Sequence, residues 1–100
     1  HDLIEAGVDI YDTIQPEAAD MNPAELKAEF GDQICFHGTI SIQKTLPFGS
    51  VEEVKAEIRE RIRTVGKNGG FILAPAHNLQ PDTPLENLLA MYQTVKECVP

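Results

Sequence analysis

Short apolar runs alternate along this chain with stretches whose apolar residues recur every three or four positions. The runs are Val8–Asp12, Ile34–Phe36 and Phe71–Ala74, and an amphipathic stretch follows each of them. Short runs rich in β-branched and aromatic side chains are typical of strands, whereas the three-to-four spacing is typical of helices. Repetition of strand and helix in this order predicts parallel strands joined by right-handed crossovers.

Capping residues mark where two of the helices begin. Asn22 is a favoured N-cap, Pro23 suits the first helical position, and Gly31 predicts a left-handed stop. Ser50 and Glu53 match a capping box, in which each side chain satisfies a free amide at the helix start. This second helix carries a clean apolar stripe, formed by Val51, Val54, Ile58, Ile62 and Val65.

The last strand and helix follow the same pattern. Phe71–Ala74 is continuously apolar, which is typical of a parallel strand covered on both faces. Thr83–Glu86 predicts a second capping box with Pro84 in the first turn, and Pro100 closes the chain after the helix. The apolar positions predicted to line this helix are Leu85, Leu88, Leu89, Tyr92 and Val95.

Two architectures fit this α/β pattern, a part of an eight-stranded β/α barrel and a small open sheet with helices on both faces. Three strands are few for a complete open parallel sheet, so the pattern favours the barrel segment. We expect residues 1–100 to form a single segment of such a barrel domain. In a barrel, chemistry gathers where the βα loops converge, at the carboxyl ends of the strands.

Composition excludes several classes of partner. A net charge of −8 repels phosphate backbones, so nucleic acid is a poor partner. No apolar run approaches the ~20 residues of a membrane span, and the first residues resemble no signal peptide, so we expect a cytoplasmic protein without a membrane partner. Cys35 and Cys98 are expected to be reduced thiols. The carboxylates predicted to lie on solvent faces, without a functional role, are Asp2, Glu5, Glu52, Glu57 and Glu60.

Polar side chains follow all three predicted strands. Asp12 and Gln15 follow the first strand, His37 follows the second and His77 follows the third. Both histidines are therefore expected at the same catalytic rim. Each residue also has a purely structural interpretation. His37 could cap a strand end, and the imidazole of His77 could bond to the backbone of its loop. Asp12 could be a solvated or cap-forming carboxylate, and Gln15 could bond to the following turn.

A zinc site is a weaker alternative for the same rim. Cys35 and His37 have matching strand parity, so both side chains can point to one side of the sheet. A thiolate and an imidazole are zinc ligands, but two ligands do not make a site. A third would have to come from His77 or from residues outside this chain.

Three segments resemble the uroporphyrinogen decarboxylase superfamily. They are Gly69–Pro84 followed by Glu86–Asn87, Leu46–Val54, and the opening Asp2–Ile10. Together they cover nearly the whole chain in the order expected of that family. The resemblance implies a (β/α)8 barrel, of which this chain would be the last three β/α units. The missing N-terminal part of the barrel would then be its first partner.

The superfamily contains two chemistries. Its decarboxylases remove acetate carboxylates from a porphyrinogen in tetrapyrrole biosynthesis without a cofactor, using polar groups that stabilise a protonated pyrrole. Its cobamide-dependent methyltransferases use zinc and a corrinoid to methylate a thiol or to demethylate an ether oxygen. His77 matches a histidine after the last strand of the decarboxylases, where the thiol methyltransferases carry a zinc-binding cysteine. The resemblance therefore implies His77 as the catalytic residue. From their positions at the predicted strand ends, His37, Asp12 and Gln15 are expected to bind the tetrapyrrole.

One segment departs from the decarboxylase pattern. After the second strand the decarboxylases carry a Gly-Asn-Leu-Asp-Pro-like sequence, but His37–Gln43 has neither the Asn nor the Asp. This departure leaves open a methyltransferase with a corrinoid-linked substrate, and also a stand-alone module that self-associates through its strand edges. An active barrel site draws on several strand ends, so we expect the 100-residue chain alone to be inactive.

Overall fold

The protein forms one parallel sheet with its helices packed on a single face. The structure is a computed structural model that describes residues 1–98, so the predicted end of the last helix at Pro100 lies outside the described residues. In chain order the elements are α1 (Asp2–Glu5), β1 (Ile10–Ile14), α2 (Pro23–Phe30), β2 (Cys35–Ile40), α3 (Thr45–Phe48), α4 (Val51–Thr64), β3 (Phe71–Pro75) and α5 (Leu85–Cys98). No helix in this range is long and apolar enough to cross a membrane.

The sheet has the order β1-β2-β3 with both pairings parallel, which confirms the parallel strands expected from the sequence. Two strands have boundaries that differ from the prediction. β1 starts at Ile10 and runs to Ile14, and β2 continues to Ile40, where it pairs with Pro75. Both strands extend because each gains hydrogen bonds from its neighbour, a long-range contribution that a local pattern does not contain. Asp12 and His37 consequently lie within strands and not after them.

One face of the sheet carries the core. Phe36 and Ile40 point to this face, where α2 and the C-terminal end of α4 cover Phe36, and α4 and α5 cover Ile40. Three side chains of the predicted α4 stripe, Val54, Ile58 and Val65, are completely buried, and Val51 and Ile62 pack at its margin, which confirms that stripe.

No helix of residues 1–98 covers the opposite face. Ile10 and Ile72 point to it and are 49% and 45% exposed, and the whole body is only 17 Å thick. The prediction that Phe71–Ala74 is covered on both faces is therefore wrong for this chain on its own. The apolar side chains of that face remain exposed because nothing in the described residues packs there.

Two predicted helix ends have different geometry. Asn22 caps α2 as expected, accepting a hydrogen bond from the Glu25 amide at 3.1 Å, but Gly31 ends the helix in a right-handed conformation (φ −63°) and not a left-handed one. Its amide bonds directly to the Lys27 carbonyl, so the ordinary helical turn satisfies this end. Ser50 caps α4 through the Glu53 amide, while the Glu53 carboxylate bonds to the Ser50 hydroxyl and not to its amide.

The last helix buries a different face from the one predicted. Leu85, Leu89 and Tyr92 are exposed, and only Leu88 and Val95 of the predicted stripe reach the core. The predicted Thr83 cap is also wrong, because its hydroxyl is buried without a hydrogen-bond partner within residues 1–98. The buried face is the less apolar one, so packing against α4 and α3 decides which face α5 buries. The buried face consists of Asn87, Ala90, Met91 and Thr94.

Candidate functional site

Asp12 and His37 lie in close contact on the uncovered face of the sheet. They are neighbours in the β1–β2 register, which places His37 Nδ1 3.1 Å from Asp12 Oδ1. An imidazole that donates its Nδ1 proton to a carboxylate is held in one tautomer and orientation. The arrangement leaves Nε2 of His37 free to accept a proton or to bind a ligand. The side chains are 33% and 64% exposed, so both are reachable from this face.

The chain bends sharply just after His37. Gly38 has φ 111° and Thr39 has φ 79°, a conformation that β-branched residues rarely adopt. A side chain at position 38 would clash, because a Cβ there would lie 2.0 Å from Thr13 Oγ1. Gly38 therefore permits the close approach of β1 and β2 beside the Asp12–His37 pair.

A charged network lies beneath this bend. Arg61 on α4 donates from Nε to the Thr39 carbonyl at 3.2 Å, and Glu57 accepts from the Ser41 amide at 3.2 Å. The two side chains also pair with each other, with 3.3 Å between Arg61 Nη2 and Glu57 Oε1. On the other side of Ser41, its hydroxyl donates to Glu17.

Glu57 is the residue for which the sequence prediction fails most clearly. It was expected on a solvent face, yet its side chain is only 14% exposed. Burial raises the pKa of Glu57 above its ordinary value of 4.5, against the opposing effects of Arg61 and of the Ser41 amide. A carboxylate at this depth requires the partners that Arg61 and Ser41 provide. Glu60 is partly buried as well, since it pairs with Arg61.

Neither Gln15 nor His77 is bonded to the Asp12–His37 pair within residues 1–98. Gln15 Oε1 accepts from Gln43 at 3.3 Å, which joins the segment after β1 to the segment after β2. His77 is exposed, two residues beyond the end of β3 at Pro75, in a loop that contains Pro81. Its imidazole has no hydrogen-bond partner among residues 1–98, so the backbone-bonded alternative is not found there. The structure therefore brings Asp12 and His37 together but leaves His77 apart.

The zinc alternative is not assembled by this part of the protein. Residues 1–98 contain no group of three or more His, Cys, Asp or Glu side chains placed to hold a metal ion. Cys35 lies on β2, and its thiol donates to the Phe36 carbonyl at 3.8 Å. The set of Cys35, His37 and His77 is thus not a site in this chain by itself.

Asn87 is a structurally important residue that the sequence analysis missed. It is 1% exposed, and its Nδ2 donates to the carbonyls of Leu46 and Gly49 at 2.8 and 2.9 Å. This side chain ties the helix after the His77 loop to the segment between β2 and α4. The available signal was its spacing, because Asn87 lies three and four positions before Ala90 and Met91 on one helix face.

Sequence comparison places the chain among known proteins. Residues 3–98 match the uroporphyrinogen decarboxylase (URO-D) family. The chain belongs to this family. It is 39% identical over 74 residues to uroporphyrinogen decarboxylase of Trichodesmium erythraeum, a match that covers 74% of this chain and 20% of the relative. It is 32% identical over 95 residues to the same enzyme of Nostoc punctiforme, covering 95% of this chain and 25% of that relative.

A second branch of the URO-D superfamily matches as well. The chain is 39% identical over 69 residues to the methylcobamide:CoM methyltransferase MtaA of Methanosarcina barkeri, covering 68% of this chain and 19% of that protein. No solved structure matches the chain significantly. The chain thus spans a fifth to a quarter of the length of these two curated URO-D relatives.

Proposed function

We propose that the chain is the last three β/α units of a (β/α)8 barrel and that the whole protein decarboxylates the acetate side chains of a porphyrinogen. Two observations support the barrel: the helices pack on one face of the sheet, and the other face exposes apolar side chains. An open doubly wound sheet carries helices on both faces, but here α2, α4 and α5 pack on one. In a barrel the other face turns inward, where side chains from further strands would cover Ile10 and Ile72.

The observation that carries the proposed activity is the Asp12–His37 pair on that inward face, in a member of the URO-D family. Decarboxylation converts a methylene carboxylate and a proton into a methyl group and CO₂. A pyrrole ring protonated on carbon accepts the electron pair of the breaking C–C bond. Asp12 supplies a negative charge for the cationic ring, and His37 Nε2 can pass a proton.

His77 takes a separate role in this proposal. It lies beyond the carboxyl end of β3, in the loop that resembles the decarboxylases, and its imidazole is exposed, with no hydrogen-bond partner among residues 1–98. We assign it to a carboxylate of the substrate, with Gln15 as a further polar contact beside Gln43. The reaction assigned here uses no cofactor.

Methyl transfer from a corrinoid is the second candidate function. The match to the methyltransferase of Methanosarcina barkeri favours it. The Asp12–His37 pair fits it too, because metal-binding histidines commonly donate their other nitrogen to a carboxylate. The described residues supply this single oriented imidazole, so the remaining zinc ligands would have to come from elsewhere in the protein.

One set of assays on the full-length protein separates these functions. We expect uroporphyrinogen to lose carboxylates stepwise, as measured by chromatography of the oxidised porphyrins, with no dependence on added zinc or methylcobalamin. Zinc at one equivalent per chain, together with thiol methylation from methylcobalamin and no loss of carboxylates, would support the second candidate. Neither activity, with stable self-association of the protein, would favour the binding module.

A further inference from the structure

Glu57 and Arg61 lie where apolar residues would be expected. Both project from α4 into the junction between helix and sheet, and their side chains are 14% and 15% exposed. Removing two charges from water is costly, and a buried ion pair is often no more stabilising than two well-packed apolar side chains. Stability alone therefore gives little reason for this pair.

The backbone groups that the pair holds lie on either side of Ile40. Arg61 Nε donates to the Thr39 carbonyl, and Glu57 Oε2 accepts from the Ser41 amide. The Ser41 hydroxyl then accepts from the Lys44 amide at 3.1 Å, which fixes the first turn after β2. Two side chains of one helix thus fix the path by which the chain leaves β2.

That path includes an unusual backbone conformation close to the site. Thr39 is completely buried with φ 79°, and its hydroxyl has no hydrogen-bond partner within residues 1–98. A β-branched residue in this conformation is unfavourable and persists only where its surroundings force it. Arg61 supplies such a constraint, because its guanidinium binds the carbonyl of the strained residue itself.

We propose that Glu57 and Arg61 are positioning residues that hold the Gly38–Thr39 bend and thereby orient His37 toward Asp12. His37 directly precedes the bend, and Gly38 packs against Thr13 of β1. Relaxation of Thr39 toward an ordinary conformation would rotate the preceding peptide and break the 3.1 Å contact between Nδ1 and Oδ1. The inference rests on the proposed function for its kinetic test only, since the orientation of His37 is measurable without turnover.

The kinetic test uses four variants of the full-length protein. Arg61→Met and Glu57→Ala should lower kcat for uroporphyrinogen by about tenfold or more with KM within about threefold, because a small displacement of a reacting group is costly. Glu57→Gln keeps an oxygen that can accept from the Ser41 amide and should restore most of kcat. Arg59→Met is the matched control: Arg59 lies on the same helix, is 53% exposed and pairs only with Glu97. It should leave kcat within about twofold.

The structural test uses the same variants and the NMR signals of the His37 ring nitrogens. Asp12→Asn defines the spectrum of a His37 without its carboxylate partner. We expect Arg61→Met and Glu57→Ala to shift the His37 signals toward that spectrum, and Arg59→Met to leave them unchanged. If Arg61→Met does not fold, the Glu57→Ala and Glu57→Gln pair carries the test.

The outcomes separate the two proposals. Unchanged His37 signals, or a lower melting temperature with normal kcat per folded molecule, would overturn the positioning role. A wild-type protein without decarboxylase activity would overturn the proposed function only, and the His37 signals would still decide the positioning role. If Glu57→Gln did not restore the kcat that Glu57→Ala loses, this result would also count against the positioning role.

Discussion

The two faces of the sheet are built from alternate residues of the same three strands, yet they differ in almost every property. On the covered face Phe36 and Ile40 are buried under helices. On the uncovered face their neighbour His37 pairs with Asp12, and Ile72 on the adjacent strand stays half exposed. The comparison teaches that a strand with period-two alternation can place the stabilising apolar side chains and the titratable ones on opposite faces.

The largest effect should separate the two faces by stability. Ile58 lies on α4, which packs on the covered face. Ile58→Ala should lower the free energy of unfolding by about 2–5 kcal/mol, because it leaves a cavity in a closed core. Ile72→Ala, on the uncovered face, should cost less than about 1 kcal/mol in the 100-residue chain. Urea unfolding measures both. In the full-length protein the cost of Ile72→Ala should rise toward that of Ile58→Ala, and an unchanged small cost there would break the barrel proposal.

Self-association should come next in size. The uncovered face and the two outer strands expose apolar side chains and unpaired backbone, so we expect the 100-residue chain to self-associate and to show no turnover. Ile72→Lys should weaken the association about tenfold or more, because one buried isoleucine contributes about 1.5–3 kcal/mol. Sedimentation at several concentrations measures the association. Phe48→Lys is the control, because Phe48 is also exposed but lies on α3. A wild-type mass independent of concentration would contradict this prediction.

His77 sharpens the contrast between stability and activity. In the full-length protein His77→Asn should lower kcat/KM by about tenfold or more and change the free energy of unfolding by less than about 1 kcal/mol, because His77 is exposed and has no hydrogen-bond partner among residues 1–98. Kinetics and thermal melting on the same preparation measure both quantities. The same replacement at the exposed His1 should change neither. A lower melting temperature with normal turnover would assign His77 a structural role instead.

The smallest effect concerns the charged network on the covered side. Burial raises the pKa of Glu57 in the folded protein above its ordinary value of 4.5. Between the ordinary and the raised pKa the folded state binds more protons than the unfolded state, so stability falls as pH rises through that window. As pH rises through this window, the free energy of unfolding of the wild type relative to that of Glu57→Gln should therefore fall and then level off. Urea unfolding from pH 4 to pH 8 tests this, with the exposed Glu52→Gln as a control that should show no such trend.

Much of the fold follows from local patterns. The three parallel strands and the Asn22 and Ser50 caps all appear as the sequence indicates, as does the apolar stripe of α4. These features depend on side-chain spacing and on hydrogen bonds between residues three apart, which a sequence contains directly. Family membership likewise follows from the order of residues along the chain.

Other features depend on contacts between distant residues. The sequence placed Asp12 and His37 at one edge of the sheet, but their pairing depends on the β1–β2 register, which local residues do not specify. The depth of Glu57 depends on how α4 turns against β2, since a glutamate beside an apolar stripe has equal local reason to face solvent. The face that α5 buries is decided in the same way, because Asn87 finds carbonyl partners only where α5 meets the end of α3. The sequence by itself determined the three strands and the main helices that follow them, and tertiary packing decided which polar side chains meet, because register and helix rotation are set by long-range contacts.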